Sequence, residues 1–102
     1  MCNGNEGKEI TVQEAKEFIA NYRNSSKPKA VKAEFFGKEK LNKILDQEQC
    51  VGIRFYFGKH NYGELNIVAV GCDKDGEDLY EGIILEMGEP CPPHCASLSP
   101  LK

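Results

Sequence analysis

Residues 50–72, reading CVGIRFYFGKHNYGELNIVAVGC, decide the fold. Val51, Ile53, Phe55 and Phe57 alternate with Gly52, Arg54 and Tyr56, and a period of two rich in β-branched and aromatic residues predicts a strand. The polar loop 58–63, GKHNYG, follows, and residues 65–70 read as a second strand. A loop this short cannot hold a crossover, so the two strands are expected to be antiparallel. Asp73-Lys74-Asp75-Gly76 is turn chemistry, since Asp and Gly tolerate the positive backbone angles that tight turns demand. Residues 80–87 then supply a third strand centred on 83–85, which completes a three-stranded antiparallel meander.

On the N-terminal side, Thr11-Val12-Gln13-Glu14 fits the capping box, in which the Thr hydroxyl and the Glu carboxylate each satisfy an orphaned amide at a helix start. Ala15, Phe18, Ile19 and Tyr22 follow at helical spacing and form one apolar stripe, expected to face the core. Asn24, Ser25, Ser26 and Pro28 end this helix. Residues 29–36 suit either helix or strand, and the alternation of Val31, Ala33 and Phe35 favours a short extended segment. After Gly37, residues 38–47 return to helical spacing with Leu41, Ile44 and Leu45 on one face. The expected fold class is therefore α+β: two amphipathic helices packed on a three-stranded antiparallel meander, with a Pro-rich C-terminal tail. The expected organisation is a disordered lead-in over 1–9, a single domain over 10–87 and the tail over 88–102.

The whole chain has 102 residues, of which 40% are hydrophobic and 28% charged, the composition of one small soluble domain. Its 13 Lys and Arg against 16 Asp and Glu give a formal net charge of −3, which lacks the clustered basic excess of a nucleic-acid footprint. No apolar run approaches the roughly 20 residues that cross a bilayer, so no membrane association is expected. The start, MCNGNEGK, has neither the basic nor the apolar region of a secretory signal, and cytoplasmic residence is the expectation. Five cysteines, Cys2, Cys50, Cys72, Cys91 and Cys95, are odd in number, which argues against an obligate disulfide framework and for mostly reduced thiols.

The tail holds the sharpest motif, Cys91-Pro92-Pro93-His94-Cys95. Two thiols and an imidazole suit zinc, so Cys91, His94 and Cys95 are metal-ligand candidates. A structural site needs a fourth ligand, which Cys50, Cys72, Cys2 or His60 would have to supply. Residues before proline are pushed toward extended backbone, and four steps of about 3.1 Å place the two cysteine Cα atoms roughly 12 Å apart. A disulfide requires less than about 7 Å, so a rigid tail with free thiols is the leading reading. A sharp turn at His94 or a cis proline bond would be needed to close the bridge. No metal or other cofactor is expected.

Other motifs are weaker. Placing Gly76 at the sixth position of an EF-hand loop puts Gly71 first and Gly82 twelfth, and neither can ligate calcium. His60 lies in a polar loop without an evident nucleophile or carboxylate beside it, which is poor support for a small enzyme. Arg54, on the strand face opposite Phe55, either pairs with a carboxylate across the sheet or marks a binding face, and cross-strand pairing is the expectation. Phosphate-loop, G-x-S-x-G and H-E-x-x-H patterns are all missing from the sequence.

Function is read from the middle strand. Val68 and Val70 lie on the parity opposite to Leu65, Ile67 and Ala69, so this strand is apolar on both sides and both flanks need a cover. An intramolecular cover is one reading; a homodimer or protein partner on the second sheet face, or on the tail, is the other. The leading expectation is a non-enzymatic protein-interaction module, and the rival is a metal-binding or redox-responsive protein built on the CPPHC cluster. The segments FFGKEKLNKIL, CVGIRFYFGK, LNIVAVGCDKDG and CPPHC together resemble a group of small bacterial proteins with no assigned function. That resemblance spans roughly residues 35–95 and implies a coherent α+β fold without implying a mechanism.

Overall fold

The computed structural model describes residues 2–27 and 30–102. In chain order the elements are α1 (Val12–Ser25), β1 (Ala33–Phe35), α2 (Lys38–Leu45), β2 (Gly52–Lys59), β3 (Leu65–Cys72), β4 (Ile84–Leu85) and β5 (Glu89–Cys91). β2, β3 and β4 form the expected antiparallel meander in that order, with Phe55 opposite Ala69 and Val70 opposite Ile84. β1 and β5 form a separate two-stranded antiparallel sheet, with Ala33 opposite Cys91. The architecture is α+β.

α1 starts at its capping box: the Glu14 amide donates to Thr11 Oγ1 at 3.1 Å, and the Thr11 amide donates to Glu14 Oε1 at 3.2 Å. Its far end is closed by the Ser26 amide on the Arg23 carbonyl; Pro28, expected as a stop, lies outside the described residues. The expectation that both helices pack on the sheet is corrected here, because α1 buries no residue and Phe18 is 61% exposed. The sheet face open to a helix is taken by α2, which packs on β2 and β3. α1 is moored by polar bonds instead, from Tyr22 Oη to the Val31 carbonyl and from the Arg23 guanidinium to the carbonyls of Leu101 and Lys102.

α2 carries the core. Ile44 is completely buried, and its Cγ2 would stand 3.1 Å from a Cβ added at Gly71 of β3. Gln47 then ties the helix end to the chain before β4: its Nε2 donates to the Ile44 carbonyl, and its Oε1 accepts from the Ile83 amide at 2.9 Å. That bond, with Met87 at φ 61°, explains why the third strand shrinks from the expected 80–87 to two residues. The turn at Asp73 forms as expected, with Asp73 Oδ1 accepting from the amides of Asp75 and Glu77 and Gly76 at φ 82°.

The middle strand is shielded on both flanks at Ala69 and Val70, which are 0% and 4% exposed, while Val68 is half-buried. A single chain reaches this burial, so the cover at Val70 is intramolecular and that part of the second sheet face is not open to a partner. Residues 2–9 form no helix or strand, and the Cys2 amide donates to the Lys74 carbonyl at 3.1 Å. Among the described residues no helix is long and apolar enough to cross a membrane.

The tail departs furthest from expectation. It contributes β5, and Cys91 and Cys95 form a disulfide with their Cα atoms 4.8 Å apart. The 12 Å expectation assumed trans bonds throughout; Cys91-Pro92 and Pro92-Pro93 are both cis, and a cis bond shortens the Cα spacing and turns the chain back. The His94 amide closes the turn on the Pro90 carbonyl at 2.9 Å.

Candidate functional site

The site is built on β2. The His60 amide donates to the Glu64 carbonyl across the hairpin, and hydrogen-bonded pairs recur at every second residue of an antiparallel ladder. Gly52, Arg54, Tyr56 and Gly58 therefore direct their amides toward β3, while Ile53, Phe55, Phe57 and Lys59 direct theirs to the outer edge. β2 is the terminal strand of its sheet, and among the described residues these outward amides have no backbone partner beyond the ladder. The opposite edge is closed differently: β4 is only two residues long, and the Ile67 amide beyond it donates to Glu34 Oε1 at 2.7 Å.

The open edge is also aromatic. Phe57 is 82% exposed, and Phe55 and Tyr56 are each 47% exposed. The Phe55 ring meets Phe36 at 6.5 Å between centroids, which holds it on the face shared with α2. Beyond Phe57 the same face opens into a cleft of about 370 Å³ lined by Tyr22, Val31, Ala33, Leu65 and Ile67. A long, unpaired, apolar strand edge is a template for another strand, and natural sheets usually blunt such edges with charge, proline or a bulge. Here Lys59 does so at one end of the strand, and Gly4 and Glu6 of the N-terminal segment flank the other end beside Val51 and Ile53.

The opposite face of β2 is occupied by a closed polar cluster. Arg54 Nη1 donates to Asp78 Oδ1 at 2.5 Å and to the Gly76 carbonyl at 3.0 Å, Tyr56 Oη donates to Asp78 Oδ2, and Cys72 Sγ donates to Asp78 Oδ1 at 3.2 Å. The Tyr56 hydroxyl, then Cys72 and Arg54, hold the Asp78 carboxyl below the usual carboxylate range. Burial, followed by the bond to Asp78, pushes the Cys72 thiol up to about 11. The carboxylate that Arg54 was expected to find is thus Asp78, at an isolated bridge just past the turn and opposite Cys72. Both oxygens of the Asp78 carboxylate are bonded within the cluster, which pins the loop after β3 across the sheet.

This geometry sets the order of thiol reactivity. Thiolate is the attacking species, and lifting a thiol from about 9 to about 11 lowers its thiolate fraction near pH 8 by about a hundredfold. Iodoacetamide at pH 8 without reductant is expected to label Cys2 and Cys50 first and Cys72 far more slowly, leaving Cys91 and Cys95 unlabelled until reduction. Peptide mass mapping over time reads this order; Cys72 labelling as fast as Cys50 would contradict the cluster.

The sequence candidates are dispersed. Cys91 and Cys95 are joined to each other, which leaves neither as the thiolate that zinc needs. His94 Nε2 lies 3.2 Å from Glu89 Oε2, with both side chains exposed. His60 stacks on Tyr62 at 4.9 Å. Among the described residues no three His, Cys, Asp or Glu side chains are grouped to hold a metal ion. The open edge itself was missed in the sequence reading, although its signal was present: Phe55, Tyr56 and Phe57 are three consecutive aromatics, so both sheet faces and the edge between them are aromatic there. No family model, curated protein or solved structure matches the chain.

Proposed function

We propose that the protein is a non-enzymatic interaction module that takes up an extended protein segment by strand addition along β2. The observation that carries this reading is the row of outward amides at Ile53, Phe55, Phe57 and Lys59 beside exposed Phe57. Main-chain bonds supply affinity in this mode, and alternate side chains supply specificity. The neighbouring apolar cleft offers a pocket for one such side chain. Neither nucleic acid nor a membrane is part of this reading, and the bacterial resemblance adds no chemistry to it.

Peptides selected from a random library on the immobilised protein test it. Binders are expected to protect the Phe55 and Phe57 amides from hydrogen exchange, and to lose about tenfold or more in affinity on Phe57→Lys, an edge lysine of the kind that blocks strand pairing. Selected binders that leave those two amides exchanging freely would overturn the proposal.

A second reading rests on the Cys91–Cys95 bridge. The pair would respond to an external thiol–disulfide couple: two external thiolates attack in turn, the bridge takes up two electrons and two protons, and an external disulfide leaves. Thiol counts across a series of glutathione ratios test this. A step from three reactive thiols to five supports it, and five at every ratio refutes it.

A further inference from the structure

We propose that the strand added to β2 is β2 of a second copy of this chain, so that two meanders join into one six-stranded sheet about a two-fold axis. The inference rests on strand addition at this edge and names its occupant. Only outward residues can exchange bonds across such an edge, so the register must pair odd positions with odd positions. With the axis at Tyr56, Phe55 of each copy faces Phe57 of the other, and Ile53 faces Lys59. This register sets every exposed aromatic of the strand against an aromatic, with Phe55 and Phe57 paired on one face and the two Tyr56 side chains adjacent on the other. The most exposed ring of the strand, Phe57, is covered on both copies.

Charge points to the same arrangement. Ile53 lines a hollow of about 300 Å³ together with Glu6, Arg54 and Cys72. The Arg54 charge is already matched by Asp78, and Glu6 supplies the unmatched carboxylate, which accepts from the amides of Asn3 and Gly4 and retains acceptor capacity. Lys59 of the second copy, opposite Ile53, comes to the end of the seam that Glu6 borders, within reach of its carboxylate around the strand edge, and symmetry makes the contact twice. The antiparallel arrangement also keeps the two Lys59 side chains at opposite ends of the seam. A strand seam with a few aromatic rings is smaller than the usual ~800 Å² per partner, so the dimer is weak and concentration-dependent.

Sedimentation velocity of the full chain from about 5 to 500 µM tests this, the range in which a seam of this size assembles. The expected result is a monomer–dimer equilibrium within that range, with Phe57→Lys monomeric throughout at an unchanged circular dichroism spectrum. Lys59→Glu is expected to weaken the dimer by about tenfold and the double variant Glu6→Lys with Lys59→Glu to restore it. That rescue requires Glu6 and Lys59 to meet between identical chains. A wild-type monomer at 500 µM, or a dimer indifferent to Phe57→Lys, overturns the inference. If the monomer still takes selected peptides on the Phe55 and Phe57 amides, the edge belongs to a strand of another protein and strand addition itself stands.

Discussion

Ile44→Ala is expected to melt about 10–25 °C below the parent protein, while Phe18→Ala shifts the midpoint by only a few degrees. Both residues sit on helical apolar stripes that look equivalent in the sequence. They differ in what they touch: Ile44 is completely enclosed and lies against Gly71 at the centre of the sheet, whereas most of the Phe18 ring faces water. Removing three carbons from a site with no room to relax forfeits transfer energy and leaves a void, a cost of about 2–5 kcal/mol. For a domain whose whole stability is of order 5–15 kcal/mol, that is a large fraction. Gly71 has no side chain to fill the space, and the strand behind it is held in register by β2 on one side and β4 on the other. Scanning calorimetry on the two variants decides the matter; equal shifts would place α1 in the core and contradict the packing described.

Cys95→Ser carries the second large effect, and it is local. Opening a five-residue loop returns about 2 kcal/mol of chain entropy to the unfolded ensemble. Cys91 is also the last residue of β5, and its carbonyl accepts from the Lys32 amide at 2.8 Å. Loss of the bridge is therefore expected to loosen the β1–β5 pair and speed hydrogen exchange at Lys32 and His94. The Val51 amide, which donates to the Cys72 carbonyl in the main sheet, is expected to keep its protection. Reduction of the parent protein should reproduce the variant. Uniform loss of protection in both sheets would mean that the two unfold as one unit.

The hairpin of β2 and β3, the capped start of α1 and the Asp73 turn were legible because each depends on neighbours in sequence. The partner of an apolar stripe does not: spacing says that Ala15, Phe18, Ile19 and Tyr22 share a face, and nothing about which helix reaches the sheet first. The extended segment expected from Val31, Ala33 and Phe35 forms as β1, but its pairing with β5 joins segments far apart in the chain, and the three residues of β5 carry too short a pattern to announce a strand. The bridge in the tail was misjudged because the extended bias before proline holds for trans bonds, and two consecutive cis bonds reverse the chain. Asp78 was hidden among acidic neighbours; its role follows from where the Asp73 turn delivers it, over Arg54, Tyr56 and Cys72. The open edge follows from strand order, which fixes which flank of β2 is left without a neighbour.

The Gln47 clamp has an evolutionary corollary. Its side-chain oxygen stands where a Cβ at residue 82 would go, so a side chain there would displace the flexible end of Gln47 and with it the bond to the Ile83 amide. The two positions are thereby coupled: a side chain gained at 82 displaces the clamp from 47, and the cost falls on the tie between helix end and sheet rather than on the backbone at 82.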